Sequence, residues 1–196
     1  MANGNAKPFI GIKRIWYTKP LTEALTPFKL QTLLKDTGNV TEVLNSHDGT
    51  WGYSQDDPSV TEYKNELNGQ VYYRDKTDEG AKTITFSMGV YAWKNKVDLQ
   101  GGKMLDSKGK ETTEAANAVG WASSQDLENI NKAIIAQTKT GNYIVFSNGA
   151  IVAKGDQQDK NIALGVSAVA MESETAGVAG EYLYDGNAVD TATSDE

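Results

Sequence analysis

The segment from Lys82 to Gly102, KTITFSMGVYAWKNKVDLQGG, changes its hydrophobic period halfway along. From Lys82 to Met88 polar and apolar residues alternate, with Ile84, Phe86 and Met88 on one face and Thr83, Thr85 and Ser87 on the other. A period of two marks a half-buried strand. Beyond Gly89 the spacing lengthens: Ala92, Trp93, Val97 and Leu99 fall about one and two helical turns apart, with polar residues between them. Gly101-Gly102 then offers the left-handed turn on which helices stop. A strand therefore runs almost directly into a helix of barely three turns, and the rest of the chain reads mostly as strand and turn.

The same reading extends along the chain. Residues 9–17, FIGIKRIWY, form a mixed apolar strand segment. Thr26-Pro27 supplies an N-cap and a proline at the first helical position, and Leu30, Leu33 and Leu34 repeat at helical spacing before Gly38, which predicts a helix over 27–36. VTEVLN, 40–45, reads as a strand, and residues 46–58 as a turn-rich loop carrying Trp51 and Tyr53. Asn68-Gly69 separates two strand-like runs, the strongest short hairpin signal. On the first run Glu62, Lys64 and Glu66 share a face, and Tyr63 and Leu67 take the other. Residues 103–125 are polar and Gly-rich, a long loop or an exposed hairpin around Lys108-Gly109. NKAIIAQT and NYIVFS flank a turn at 139–142, AIVAK follows Asn148-Gly149, and a last strand places Ile162, Leu164, Val166 and Ala168 on one face. Seven to nine strands with one or two short flanking helices predict a mainly β fold, a sandwich or closed barrel.

Charge divides the chain. The 26 acidic and 19 basic residues give a net −7, and seven of the acids lie in residues 171–196, which hold no Lys or Arg. The body is therefore formally neutral, and its boundary with an acidic, Ala/Gly/Ser/Thr-rich tail falls near 171/172. Such a composition offers little to offset ordering entropy, so the expected division is a β domain over 1–171, with an N-terminal arm and long loops, and a mobile tail over 172–196. Within that tail only EYLYDG has side chains suited to docking. Met1-Ala2-Asn3-Gly4 opens a polar segment, and no stretch approaches 18 apolar residues, so no membrane span and a cytoplasmic site of synthesis are expected.

Residues that carry chemistry are sparse. With no cysteine there is no disulfide framework, thiolate nucleophile or thiolate-bound zinc. The single histidine, His47, neighbours Asp48, Asp56 and Asp57, but the loop is dense in turn formers and lacks a third spaced ligand set. No nucleophile elbow, zinc-protease helix or phosphate-binding glycine loop is present. Asp106 to Glu111 matches a fragment of a calcium loop without its later ligands and reads as a hairpin tip. Neither an enzyme nor a cofactor or metal site is expected. Four Trp and nine Tyr suit a carbohydrate-binding β-sandwich, the rival from another class, or core and interface packing. Lys13-Arg14 is the obvious basic cluster, too little for base readout along a strand.

The order of these segments carries a resemblance. A hairpin VTEYKNELNGQVYY, an alternating strand KTITFSMG, a short helix ending DLQGG, then NYIVFSNGAIVAK and a last alternating strand together resemble the major tail tube protein of long-tailed bacteriophages, particularly those of gut Bacteroidetes-type hosts. The resemblance spans most of residues 9–171, and TWGYSQDDPSVTEYKN is its most distinctive part. It implies a β-sandwich or barrel that forms rings, usually hexameric, which stack into a hollow tail tube for DNA passage. The partners implied are other copies of the chain and the tape-measure, tail-tip and terminator proteins of a virion. The tube subunit of type VI secretion shares that architecture and is the alternative within the class. On this reading Trp16, Tyr17, Trp51, Tyr53 and Trp121 are interface residues, and Glu62, Lys64 and Glu66 form a polar wall strand.

Overall fold

The computed structural model describes residues 7–193. The first six residues of the expected N-terminal arm and the last three of the expected tail lie outside them. The chain is mainly β, in the order β1 (Arg14–Thr18), α1 (Pro27–Lys35), β2 (Thr41–Glu42), β3 (Gly52–Gln55), β4 (Val60–Lys64), β5 (Val71–Lys76), β6 (Lys82–Met88), α2 (Trp93–Gln100), β7 (Lys103–Leu105), β8 (Glu111–Thr112), β9 (Gly120–Ala122), β10 (Ile130–Gln137), β11 (Tyr143–Gln158), β12 (Asn161–Ala170), β13 (Glu181–Tyr184) and α3 (Gly186–Asp190). Thirteen strands replace the expected seven to nine among the described residues, because β2, β7, β8 and β9 are pieces of two or three residues that loops contribute.

One antiparallel sheet forms the body, in the order β2-β1-β10-β11-β12-β6-β3, with β13 also on β11. The alternation in Lys82–Met88 sets its inner face: Ile84, Phe86 and Met88 are at most 2% exposed. They lie opposite Ala168, Val166 and Leu164 of β12. Ile15 and Tyr17 of β1 join the same cluster, although three strands separate β1 from β6. Strands that distant share a core only if the sheet curls back on itself. The chain between β2 and β3 completes the curl, with Val43 N donating to Ile15 O and His47 N to Ser87 O. α2 lies at this core through Leu99, and its end is set as the glycines predict, with Gly101 at φ 82°.

The outer face of β1, β10 and the first half of β11 carries a second core, in which Trp16, Ile135, Tyr143 and Val145 meet Leu25 and Leu30 at α1 and Val189 of α3. Thr26 caps α1, its hydroxyl accepting from Lys29 N at 3.2 Å, and Pro27 opens the helix as the sequence predicts.

Three expectations are corrected here. AIVAK is not a separate strand after Asn148-Gly149, since β11 runs unbroken for 16 residues. The pair marks a bulge: pairing with β10 shifts between Lys132 and Ile134, and a Cβ on Gly149 would stand 3.1 Å from Lys132 O. Below the bulge β11 pairs with β13, and above it with β12.

Ile162, expected on the buried face, is 74% exposed, because β11 and β12 run beyond the sheet as a free hairpin closed at Asp159-Lys160.

The acidic tail is not a loose appendage over its described length. Glu181–Tyr184 adds a strand to Tyr143–Phe146, Asp185 caps α3 through Asn187 N at 2.7 Å, and Val178 and Val189 are buried. Gln31 of α1 donates to Val189 O at 3.0 Å, and Ser147 N to Gly180 O at 3.0 Å. Few apolar side chains suffice because the segment joins an existing strand edge and helix groove instead of building a core of its own.

Candidate assembly surfaces

Asn68-Gly69 does close a hairpin. Gly69 N donates to Asn65 O at 2.7 Å with φ 69°, and Asn68 Oδ1 accepts from Gln70 N at 3.0 Å. The hairpin forms a sheet by itself, since β4 and β5 pair only with each other. Every residue of both strands is exposed on both faces. Glu62 pairs with Arg74 at 2.6 Å, and the rings of Tyr63 and Tyr73 lie 5.6 Å apart across the strands. Val60, Val71, Tyr72 and Tyr73 stand open, and Tyr72, which the register skips between Val71 and Tyr73, is 70% exposed. An isolated two-stranded hairpin is marginal in water, and the ring contact between Tyr63 and Tyr73 lies within the hairpin itself.

The expected polar wall is thereby relocated. Glu62 and Lys64 lie on β4 and Glu66 in the hairpin turn, so the three belong to this projecting arm and to no face of the main sheet.

The aromatic interface residues divide. Trp16 and Tyr17 are 4% and 3% exposed and are spent inside the chain, which corrects their assignment to an interface. β1 is covered on both faces, so Trp16 packs outward with Leu30 and Tyr17 inward with Phe86. A strand buried on both sides reads as a continuous apolar run, and burial alone accounts for it. The Tyr17 hydroxyl accepts from Asn95 at 2.8 Å and lies 3.2 Å from Asp98, which ties β1 to α2; burial, then the Asp98 charge, raises its pKa well above the usual phenol range.

Trp51 is half-buried against the inner core. Tyr53 packs at a tilt on Phe146, ring centres 6.2 Å apart, and donates to Glu181 at 2.7 Å, while Lys82 pairs with the other oxygen of the same carboxylate. Tyr53 thus fastens the edge strand β3 to β13, and burial followed by the Glu181 hydrogen bond raises its pKa. Trp121 on β9 donates to Gly101 O at 2.8 Å and lies under the Lys96 ammonium at 4.3 Å, docking the small β8-β7-β9 sheet on α2. No family model matches the chain, and no curated protein matches its sequence.

Elsewhere the polar side chains hold loops together. His47 Nδ1 is 3.1 Å from Asp48 O and Nε2 3.5 Å from Asp159. Asp106 accepts from Lys108 N and Lys110 N at 2.8 and 2.9 Å, shaping the hairpin tip around Gly109. Asp156 accepts from Gln158 and Ser87, and those bonds hold its carboxyl below the usual range. Among the described residues no group of three or more His, Asp or Glu is placed to hold a metal ion, and no helix is long and apolar enough to cross a membrane.

Sequence reasoning named Tyr63 but passed over Val71, Tyr72 and Tyr73. The signal was present in VYY, three consecutive large apolar residues on a strand that pairs only with β4 among the described residues.

Proposed function

We propose that this chain is a structural subunit that assembles with copies of itself into stacked rings, and that the assembly is a phage tail tube through which DNA passes. The observation that carries the reading is the β4–β5 hairpin, with every strand residue exposed and three tyrosines and two valines uncovered. Aromatic side chains presented on a projecting element are the groups that dominate interface energy when a partner buries them. The mainly β, curled-sheet body agrees with the fold that the resemblance implies, and the tube, its virion location and its tape-measure, tail-tip and terminator partners follow from that resemblance.

Sedimentation velocity over a concentration series tests the reading. The wild type sediments as a monomer when dilute and as large species when concentrated. Tyr63→Ser/Tyr73→Ser stays monomeric over the same range with an unchanged circular dichroism spectrum. A wild type that remains monomeric throughout, or a double variant that assembles equally well, contradicts the proposal.

A further inference from the structure

β11 outruns its neighbour on one side. Its pairing with β10 ends at Ile151↔Ile130, whereas its pairing with β12 continues to Gln158↔Asn161 at the two-residue turn. The pair that flanks a two-residue hairpin turn exchanges both backbone bonds, and bonded pairs alternate from there. Gln158, Asp156, Lys154 and Val152 therefore address β12. Ala153, Gly155 and Gln157 turn their N–H and C=O groups outward, toward no strand among the described residues. Such an edge is a template for another strand.

At the point where the edge becomes free lies a cavity of about 350 Å³, lined by Leu99, Gln100, Trp121, Leu127, Ile130 and Val152. Leu127 and Val152 are exposed. Gln100 joins this lining with its Oε1 turned away from solvent. Asp126 and Glu128 also line the cavity and form no salt bridge among the described residues.

The hairpin offers the matching half. Its strands pair with no other strand among the described residues, Tyr72 projects from the bulge, and Lys64, opposite Val71, forms no ion pair among those residues. We propose that the free edge of β11 and its cavity receive the β4–β5 hairpin of a second copy, with Tyr72 seated in the cavity and Lys64 meeting Asp126 or Glu128. This inference rests on the self-assembly reading and names the contact that drives it.

The chain has no native cysteine, so an engineered disulfide reports the contact directly. Tyr72→Cys and Leu127→Cys variants are mixed and oxidised. The mixture is expected to give a disulfide dimer several-fold in excess of either variant alone. Gly155→Pro removes one outward N–H at a residue where an added Cβ meets nothing within 4 Å, and Tyr72→Ala removes the knob from a fully projecting site. Each is expected to raise the concentration needed for assembly at least tenfold with the melting curve retained for Tyr72→Ala. If the wild type assembles, while the mixture gives no excess dimer and Tyr72→Ala assembles normally, this contact is wrong and self-assembly stands. A wild type that never associates overturns both.

Discussion

Phe86 faces Val166 across β6 and β12 and is 1% exposed, at the centre of the inner core. Phe86→Ala therefore loses transfer energy and leaves a cavity, a cost of about 3–5 kcal/mol that a shift in the urea midpoint reads. Phe86→Asp buries an unpaired charge there and abolishes the cooperative melt. Charge matters at the margin of the same sheet. Arg14 makes a two-pronged contact with Glu42, at 2.6 and 2.7 Å, and stacks over Trp16 at 4.7 Å. The Arg14 hydrogen bond holds the Glu42 carboxyl below its ordinary value of 4.5. A carboxyl depressed in the folded state adds stability above its unfolded value, and that stability is lost as pH falls through the folded one. Glu42→Gln should thus destabilise the fold slightly at pH 7, by less than about 1 kcal/mol for so exposed a pair, and the difference should shrink at acid pH as the carboxyl protonates. Thermal melts of both proteins at neutral and acid pH check it. At this scale much was legible: the inward set Ile84, Phe86 and Met88 follows from alternation alone. Trp16 and Tyr17 were misplaced because an interface strand and a strand covered on both faces share one pattern.

Among the elements, the two that depart most from an average reading of their composition make opposite predictions. The segment after Met171 is acidic and rich in small residues, yet β13 completes the sheet beside β11 and α3 seals the outer core with Val189. Truncation after Met171 should remove several kcal/mol, by loss of strand pairing and of the contacts of buried Val178 and Val189 and half-buried Tyr184. A melt that moves down by ten degrees or more is the expected result, and an unchanged melt contradicts the structural role of this segment. The hairpin behaves the other way. Its stem is closed by Ser59 and Thr77, so replacing 60–76 with a short Gly-Ser turn should leave the melt of the body within a few degrees. The Asn-Gly turn made this element legible. Its isolation was not, since nothing local tells a strand whether a neighbour lies beside it, and for the same reason the bulge at Asn148-Gly149 read as a break between two strand segments.

For the whole molecule, the chain shows a satisfied body and an unsatisfied periphery. Both faces of β1 and β10 are covered, and the aromatics of the loops, Trp51, Tyr53 and Trp121, are fastened within the chain. Among the surfaces that remain open are the hairpin, the outward edge of β11 and the cavity beside it. A mainly β class follows from periodicity summed over many segments. Which surfaces stay uncovered depends on tertiary placement and could not be read from any one of them. Negative-stain microscopy of the full chain at rising concentration, beside the form lacking residues 60–76, tests self-assembly most directly. The proposal predicts rings and stacked tubes from the full chain and isolated particles from the shortened one; isolated particles from the full chain at every concentration, or tubes from both, contradict it.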